Sequence, residues 1–139
     1  MNQAKLFREV TRRLEMNLGS INQTDCCCGT INDSQCFVLV EIGRKADISV
    51  KELAAILRLD KSSISRTVEE LVKKGYVKRE ASKEDRRYVV LNLTDKGFER
   101  FCKIENDMDR RFKAILDNIP KDKRGQVIES LQLYNEAFK

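Results

Sequence analysis

The sequence predicts a mainly α-helical fold with one small β-hairpin. Apolar residues recur at three- and four-residue spacing along most of the 139 residues, which is typical of amphipathic helices. Two short β-prone runs in the middle of the chain indicate a single pair of strands. The length is that of one domain, so we expect the helices and the hairpin to share one core.

The composition indicates a helix-rich protein outside the membrane. Aromatic residues make up 6% of the chain and charged residues 35%, which suits a core of Leu, Ile and Val. No run approaches the roughly 20 apolar residues that a membrane span requires, and the amino terminus MNQAKLFREV does not resemble a signal peptide. We therefore expect a cytoplasmic location and no membrane partner. In that reducing compartment, five cysteines favour buried thiols, metal ligands or a redox site over structural disulfides.

The first two helices are predicted from an apolar repeat and a cap. A four-residue repeat of Leu and Val predicts an amphipathic helix from residue 3 to about residue 21. Asn32 and Gln35 resemble a capping box, and the apolar run that ends at Ile42 predicts a helix buried on most faces. We expect this second helix to end near residue 46.

Two short helices separated by a tight turn are predicted next. Ser49 and Glu52 form a second capping-box pattern, and Asp60 can cap a further helix that runs to Gly75. The first of these helices has three residues that we expect to face inward: Leu53, Ile56 and Leu57. The second has one apolar face: Ile64, Val68, Leu71 and Val72. Its opposite face is polar: Ser62, Arg66, Glu70 and Lys73.

The remaining elements are a hairpin and two terminal helices. Residues 76–80 and 88–94 are β-prone, and the connection SKEDRR predicts a basic tip between them. Thr94 can cap a long helix, and Pro120 can lie in the first turn of a last helix whose apolar repeat continues to Phe138.

The middle of the chain has the outline of a winged helix-turn-helix, because two short helices and a tight turn precede a hairpin. In that fold the first turns of the second helix face the bases of the major groove. Here those turns carry five candidate contacts: Ser62, Ser63, Ser65, Arg66 and Thr67. Hydroxyls allow close approach, and Arg66 is the candidate base reader because arginine can bind guanine with two hydrogen bonds. Exposed helix faces in general also carry such residues.

Charge supports a nucleic-acid contact in the same region. Residues 51–93 hold eleven Lys and Arg against seven Asp and Glu, whereas the flanking segments are nearly neutral and the net charge is +5. At the hairpin tip, Lys83, Arg86 and Arg87 can enter a minor groove or bind the DNA backbone. Asp85 can hold one arginine in a fixed pose and leave the other free. A solvated turn is the alternative interpretation.

Residues 49–97 resemble the DNA-binding core of the MarR (multiple antibiotic resistance regulator) family. The most specific match is the wing signature, Asp-x-Arg followed by an apolar strand and Leu-Thr-x-x-Gly: Asp85, Arg87, Leu93, Thr94 and Gly97. The flanking helices match in order, so the resemblance covers nearly the whole chain. It implies a homodimeric transcription regulator in which the first and last two helices build the dimer. It also implies that the helix from Lys61 lies in the major groove and the wing in the minor groove.

We accordingly expect one domain over residues 1–139. Residues 1–46 and 95–139 would hold the dimerisation helices and the buried helix, and residues 47–94 the winged helix-turn-helix lobe. The apolar stripes of the terminal helices support dimerisation, although they can also pack within one subunit. A twofold dimer predicts a palindromic site on double-stranded DNA, and we expect a repressor.

Three consecutive cysteines, Cys26, Cys27 and Cys28, depart from the family pattern. Soft thiolates favour Zn, Cu(I) and, by the same chemistry, As(III), and a chain with no histidine must build a tight soft-metal site from sulfur. Two of the three can form a thiolate pocket with Cys36, whose place in the first turns of its helix favours the thiolate. We therefore hypothesise that a thiophilic metal or a metalloid such as arsenite modulates the affinity for DNA. Cys102 is expected in the core.

Other functions remain open. An oxidant or another small effector can be the signal, since neighbouring thiols suit redox sensing, or the cysteine triplet can be incidental. A winged helix can also dock on proteins without binding DNA. We do not expect an enzyme, because the sequence has no histidine base, no Cys-x-x-Cys motif in a redox-fold context and no phosphate-binding glycine loop.

Overall fold

The structure is a computed structural model that describes residues 2–22 and 31–138. In this part of the chain there are six α-helices: α1 (Gln3–Asn22), α2 (Asp33–Arg44), α3 (Val50–Leu57), α4 (Lys61–Lys73), α5 (Asp95–Asp117) and α6 (Arg124–Glu136). Two antiparallel strands lie between α4 and α5: β1 (Val77–Ala81) and β2 (Val89–Leu93). A 3₁₀ turn, Lys121–Lys123, precedes α6. The predicted mainly α fold with one hairpin is confirmed.

Two helices begin with the predicted capping boxes. The Asn32 side chain accepts a hydrogen bond from the Gln35 backbone amide at 2.9 Å, and Ser49 accepts one from the Glu52 amide at 3.1 Å. In return, the side-chain oxygens of Gln35 and Glu52 accept hydrogen bonds from the backbone amides of Asn32 and Ser49, at 3.3 and 3.2 Å. These bonds satisfy amides that the first turn leaves without helical partners. Glu52 also contacts the Lys45 ammonium group, which lowers the pKa of its carboxyl.

The chain divides into two units, Met1–Glu105 and Asn106–Lys139, and α5 continues from one into the other. In the first unit, α2, α3, α4 and the hairpin pack on one another. The completely buried side chains of this unit form its core: Val38, Leu39, Ile42, Ile48, Leu53, Ile64, Val68, Leu71 and Leu91. The Leu91 amide donates to the Ile48 carbonyl at 2.8 Å and joins the loop before α3 to the edge of the sheet.

Burial of α2 and α3 is narrower than predicted. On α2 it follows one helical stripe: Gln35, Val38, Leu39 and Ile42. Phe37 lies off that stripe and is 55% exposed, so the prediction that this helix is buried on most faces is wrong. Ile56 of α3 is 50% exposed and does not face inward as predicted. Both helices pack by one face only, and residues outside the contact stripe remain on the surface.

The last helix differs from the prediction at both ends. Pro120 precedes the 3₁₀ turn, and α6 begins only at Arg124. The helix ends at Glu136, so Phe138 lies beyond it, although its ring still stacks on Tyr134 at a centroid distance of 5.4 Å. In the described ranges, no helix has the length and apolar character required to cross a membrane.

Candidate nucleic-acid interface

A tight turn and an acidic cap set the start of α4. Arg58 ends α3 in the left-handed conformation at φ 55°, which turns the chain sharply toward Asp60. The Asp60 carboxylate accepts hydrogen bonds from the Ser63 hydroxyl at 2.7 Å and from the Ser63 amide at 3.0 Å. These bonds stabilise the ionised carboxylate, the hydroxyl contributing most, and lower the pKa of Asp60. The turn and cap therefore form as the sequence predicts.

The two faces of α4 have opposite environments. Ile64, Val68 and Leu71 are completely buried. Ser62, Ser65 and Arg66 are exposed on the other side of the helix. A helix that is anchored by one face presents the other to solvent, which is the arrangement that a groove-binding helix requires. The three exposed residues are therefore accessible, and their contacts with DNA stay predictions.

The other two predicted residues of α4 also serve the helix itself. Ser63 is half-buried and bonds the Asp60 cap through its hydroxyl. Thr67 is half-buried as well, and its hydroxyl donates to the Ser63 carbonyl at 3.1 Å. Because both hydroxyls already bond within the helix, Ser63 and Thr67 are less available to a partner than Ser62, Ser65 and Arg66.

A buried glutamine that the sequence analysis used only as a cap also anchors α4. The Gln35 side chain is 3% exposed and reaches from α2 to the far end of α4. Its amide nitrogen donates to the Glu70 carboxylate at 3.0 Å, and its oxygen accepts from the Lys74 ammonium at 2.7 Å. The same oxygen also accepts a hydrogen bond from the Asn32 backbone amide at 3.3 Å, so the Gln35 side chain links the start of α2 to α4. No local pattern identifies partners 35 and 39 residues away.

The hairpin forms the predicted wing. Its strands pair in register from Val77 opposite Leu93 to Ala81 opposite Val89. The Ser82 amide donates to the Tyr88 carbonyl at 2.8 Å and closes the loop. Arg79 of β1 donates from its guanidinium to the Glu69 carboxylate of α4. This contact lowers the pKa of Glu69 and connects the wing to the helix.

The predicted carboxylate–arginine pair is present at the wing tip. Arg87 donates to Asp85 through Nη2 at 2.8 Å and through Nε at 3.1 Å, a two-pronged contact that fixes the guanidinium. The pair lowers the pKa of Asp85 and raises the pKa of Arg87. Lys83 and Arg86 are exposed and form no ion pair with any residue in the described ranges. The tip thus has one arginine held by a carboxylate and two exposed cations that form no ion pair with the described residues.

The Leu-Thr-x-x-Gly part of the wing signature is the joint between the sheet and α5. The Thr94 hydroxyl accepts from the Gly97 amide at 3.0 Å and donates to the Gly75 carbonyl at 2.6 Å. The Thr94 amide donates to the Tyr76 carbonyl at 3.0 Å. A Cβ atom on Gly97 would overlap that carbonyl oxygen, so only glycine allows the start of α5 to pack against Tyr76, in the segment between α4 and β1. Gly75 itself turns the chain at φ 84°.

The predicted cysteine site lies mostly beyond the described residues. Cys26, Cys27 and Cys28 are outside them. Cys36 is half-buried in the first turn of α2, and Cys102 is half-buried on α5, less enclosed than the predicted core position. Among residues 2–22 and 31–138, no group of three His, Cys, Asp or Glu residues is arranged to hold a metal ion. The three-thiolate pocket stays a prediction.

Comparison with known proteins supplies the family. A family model described as "MarR family" matches residues 30–87. The HTH-type transcriptional regulator BilQ of Clostridium symbiosum is 30% identical over 96 residues, which cover 69% of this chain and 67% of the relative. The chain belongs to the MarR family. The match covers 67% of the length of BilQ. The matches of the MarR-family chain to two further curated relatives cover 63% and 60% of the lengths of those proteins.

Solved structures agree with the fold of the MarR-family chain. A MarR protein from Peptoclostridium difficile superposes with a TM-score of 0.80 at 26% identity, covering 98% of this chain and 88% of that one. FabT from Streptococcus pneumoniae, crystallised in complex with DNA, superposes with a TM-score of 0.86 over 99% of this chain and 100% of its own. At 20% identity the likeness to FabT concerns the fold alone.

Proposed function

We propose that this MarR-family chain is a sequence-specific, dimeric DNA-binding transcription regulator that acts as a repressor in the cytoplasm. The observation that carries the proposal is the separation of faces on α4. Ile64 and Val68 are buried, whereas Ser62 and Arg66 are open to solvent. A helix anchored in this way can enter a major groove, and the cations at the wing tip can contact the adjoining backbone or minor groove.

Exposed apolar residues support the dimeric part of the proposal. On α1, Leu6, Phe7 and Val10 are each more than half exposed, and on α6 Leu133 is 61% exposed. Apolar residues repeated along a helix face gain free energy when a partner covers them. A second copy of the chain, related by a twofold axis, would cover them and set two α4 helices against a palindromic site. In this proposal residues 1–46 and 95–139 carry the dimer helices and residues 47–94 the DNA-binding lobe.

Selection from a random duplex pool tests DNA binding. We expect the enriched duplexes to be palindromic, with half-sites about one helical turn or a multiple apart. Phosphate contacts should make the affinity fall steeply with salt: a dimer that neutralises roughly 6–10 phosphates loses about 10³- to 10⁵-fold between about 50 and 200 mM. A pool that shows no enrichment at low salt would reject DNA binding and favour a protein-interaction module.

The effector that we propose is a thiol-directed ligand, a thiophilic metal or a metalloid such as arsenite. Support comes from the position of Cys36, which adjoins Gln35 in the first turn of α2. The Gln35 side chain bonds both Glu70 and Lys74 at the end of α4. A ligand that moved the start of α2 would therefore act on the DNA-reading helix through direct contacts. An oxidant acting on the same thiols is the alternative signal.

Titration of reduced protein with arsenite, Zn(II) or peroxide tests the effector. DNA binding should weaken in the wild type with at least one of these reagents, and a Cys26/Cys27/Cys28→Ser variant should not respond. A Cys102→Ser variant is the matched control and should respond as the wild type does. Equal responses of the wild type and the triple variant would remove the triplet from the mechanism. The reagent that acts distinguishes metal or metalloid binding from oxidation.

A further inference from the structure

A surface cavity of about 430 Å³ lies where α5 begins. Its lining consists of Tyr76 and four charged residues on the first turns of α5: Lys96, Glu99, Arg100 and Lys103. This volume is within the range of pockets that hold small organic ligands. Tyr76 follows the carboxyl end of α4, whereas Ser62 lies in its first turn, and at about 1.5 Å of rise per residue the helix from Ser62 to its last residue, Lys73, spans roughly 16 Å. The cavity is thus separate from the predicted DNA-reading face.

The lining is strongly cationic. Lys96, Arg100 and Lys103 repeat at four- and three-residue spacing, so they occupy one face of α5. Glu99 is the single carboxylate among the lining residues. Neither Lys96 nor Lys103 forms an ion pair within the part of the chain that the structure describes. Neighbouring like charges raise the free energy of the folded state, and a bound anion would relieve that repulsion.

Tyr76 holds two of these cations in place. Its ring is almost completely buried, at 3% exposure. The Lys96 ammonium lies 4.7 Å from the ring centroid and donates to the Lys74 carbonyl at 2.9 Å. The Arg100 guanidinium lies 5.7 Å from the centroid and donates to the Tyr76 hydroxyl at 3.3 Å. Cation–π contacts and hydrogen bonds therefore position these cations before any ligand arrives.

We propose that this cavity binds the phosphate group of a small organic phosphomonoester. A phosphate dianion offers two charges and several acceptor oxygens to three cationic donors, whereas a carboxylate offers one charge and two oxygens. Arginine and lysine together are common phosphate ligands. The cavity volume leaves room for an organic group beside the phosphate. The Tyr76 carbonyl also packs against Gly97 and accepts a hydrogen bond from the Thr94 amide. A ligand in this cavity would therefore lie beside the contact between α5 and the segment that follows α4. Any effect on DNA affinity rests on the proposed regulatory function.

Calorimetric titration at constant ionic strength tests the site directly, without DNA. Inorganic phosphate and glycerol phosphate serve as the phosphate probes, and benzoate as the carboxylate probe. We expect saturable binding of the phosphate probes, weakened about tenfold or more by Lys96→Gln and by Lys103→Gln, since each removes a charge-assisted hydrogen bond. Lys103 is exposed, so its variant should fold normally, which circular dichroism checks.

Two variants control for charge and for location. Lys121→Gln removes the same charge outside the cavity, and Arg66→Ala alters the predicted DNA-reading face; both should bind phosphate as the wild type does. If either weakens phosphate binding as much as Lys103→Gln, the binding is diffuse and the site is rejected. Binding of benzoate without phosphate would overturn the ligand class, and no saturable binding of any probe would overturn the site. None of these outcomes depends on whether the protein binds an operator.

Discussion

Replacing Arg66 with alanine should weaken binding to the selected palindromic duplex by about 1–3 kcal/mol, which is roughly 5- to 150-fold in Kd. The Arg66 side chain is exposed on the outer face of α4, on the opposite side from the buried Ile64 and Val68. If it makes a two-pronged contact with guanine, its loss removes both affinity and the preference for that base. Fluorescence anisotropy with duplexes substituted at each position of the half-site measures both quantities.

The matched control for Arg66 is Lys121→Ala, which removes one positive charge from the 3₁₀ turn before α6. Its effect should be small and equal for all duplexes, because it lies outside the winged helix-turn-helix lobe. A phosphate contact by Arg66 would instead weaken all sequences uniformly and reduce the salt slope by about 1. If Arg66→Ala changed neither affinity nor base preference, the assigned reading face of α4 would be wrong.

Gly97→Ala should lower the free energy of unfolding by about 3 kcal/mol or more, at the upper end for overpacking. The added methyl group would overlap the Tyr76 carbonyl oxygen, which belongs to the backbone and cannot rotate away. That carbonyl also accepts the Thr94 amide, so moving it breaks the joint between the sheet and α5. Urea unfolding at fixed protein concentration measures the loss.

Gly125→Ala is the control for Gly97, because it makes the same chemical change in a helix with open space around it. No atom lies within 4 Å of the Cβ position at Gly125, so alanine should raise the free energy of unfolding by up to about 1 kcal/mol. Equal stability of the Gly97 variant and the wild type would contradict the close packing of α5 on Tyr76.

Features that depend on neighbouring residues were predictable from the sequence. The caps at Asn32, Ser49 and Asp60 each bond a residue three positions later, so their residue types are sufficient to identify them. The faces of α4 were predictable for the same reason, since helical periodicity assigns residues to faces before any partner is known. The Asp85–Arg87 pair at the wing tip is equally local, because donor and acceptor are only two positions apart in the chain.

Features that depend on distant residues were not predictable in this way. Gln35 was identified as a cap, but its bonds to Glu70 and Lys74 require α2 to cross α4. Phe37 and Ile56 were expected to be buried, and both are exposed because α2 and α3 pack by one stripe only. Its position on α5 alone gives no sign that Arg100 has a partner. Only the tertiary structure shows the hydrogen bond from its guanidinium to the Tyr76 hydroxyl.

The sequence by itself determined the order of the elements, the starts of α1 to α5, the polar face of α4 and the charges of the wing, because hydrogen bonds and periodicity within a few residues decide these properties. The tertiary structure alone decided which buried groups fix α4, why Gly97 must be glycine, and that Tyr76 gathers cations around a cavity. These contacts join residues about 20 to 40 positions apart. Only the packing of whole helices brings such residues together, and no local propensity encodes that packing.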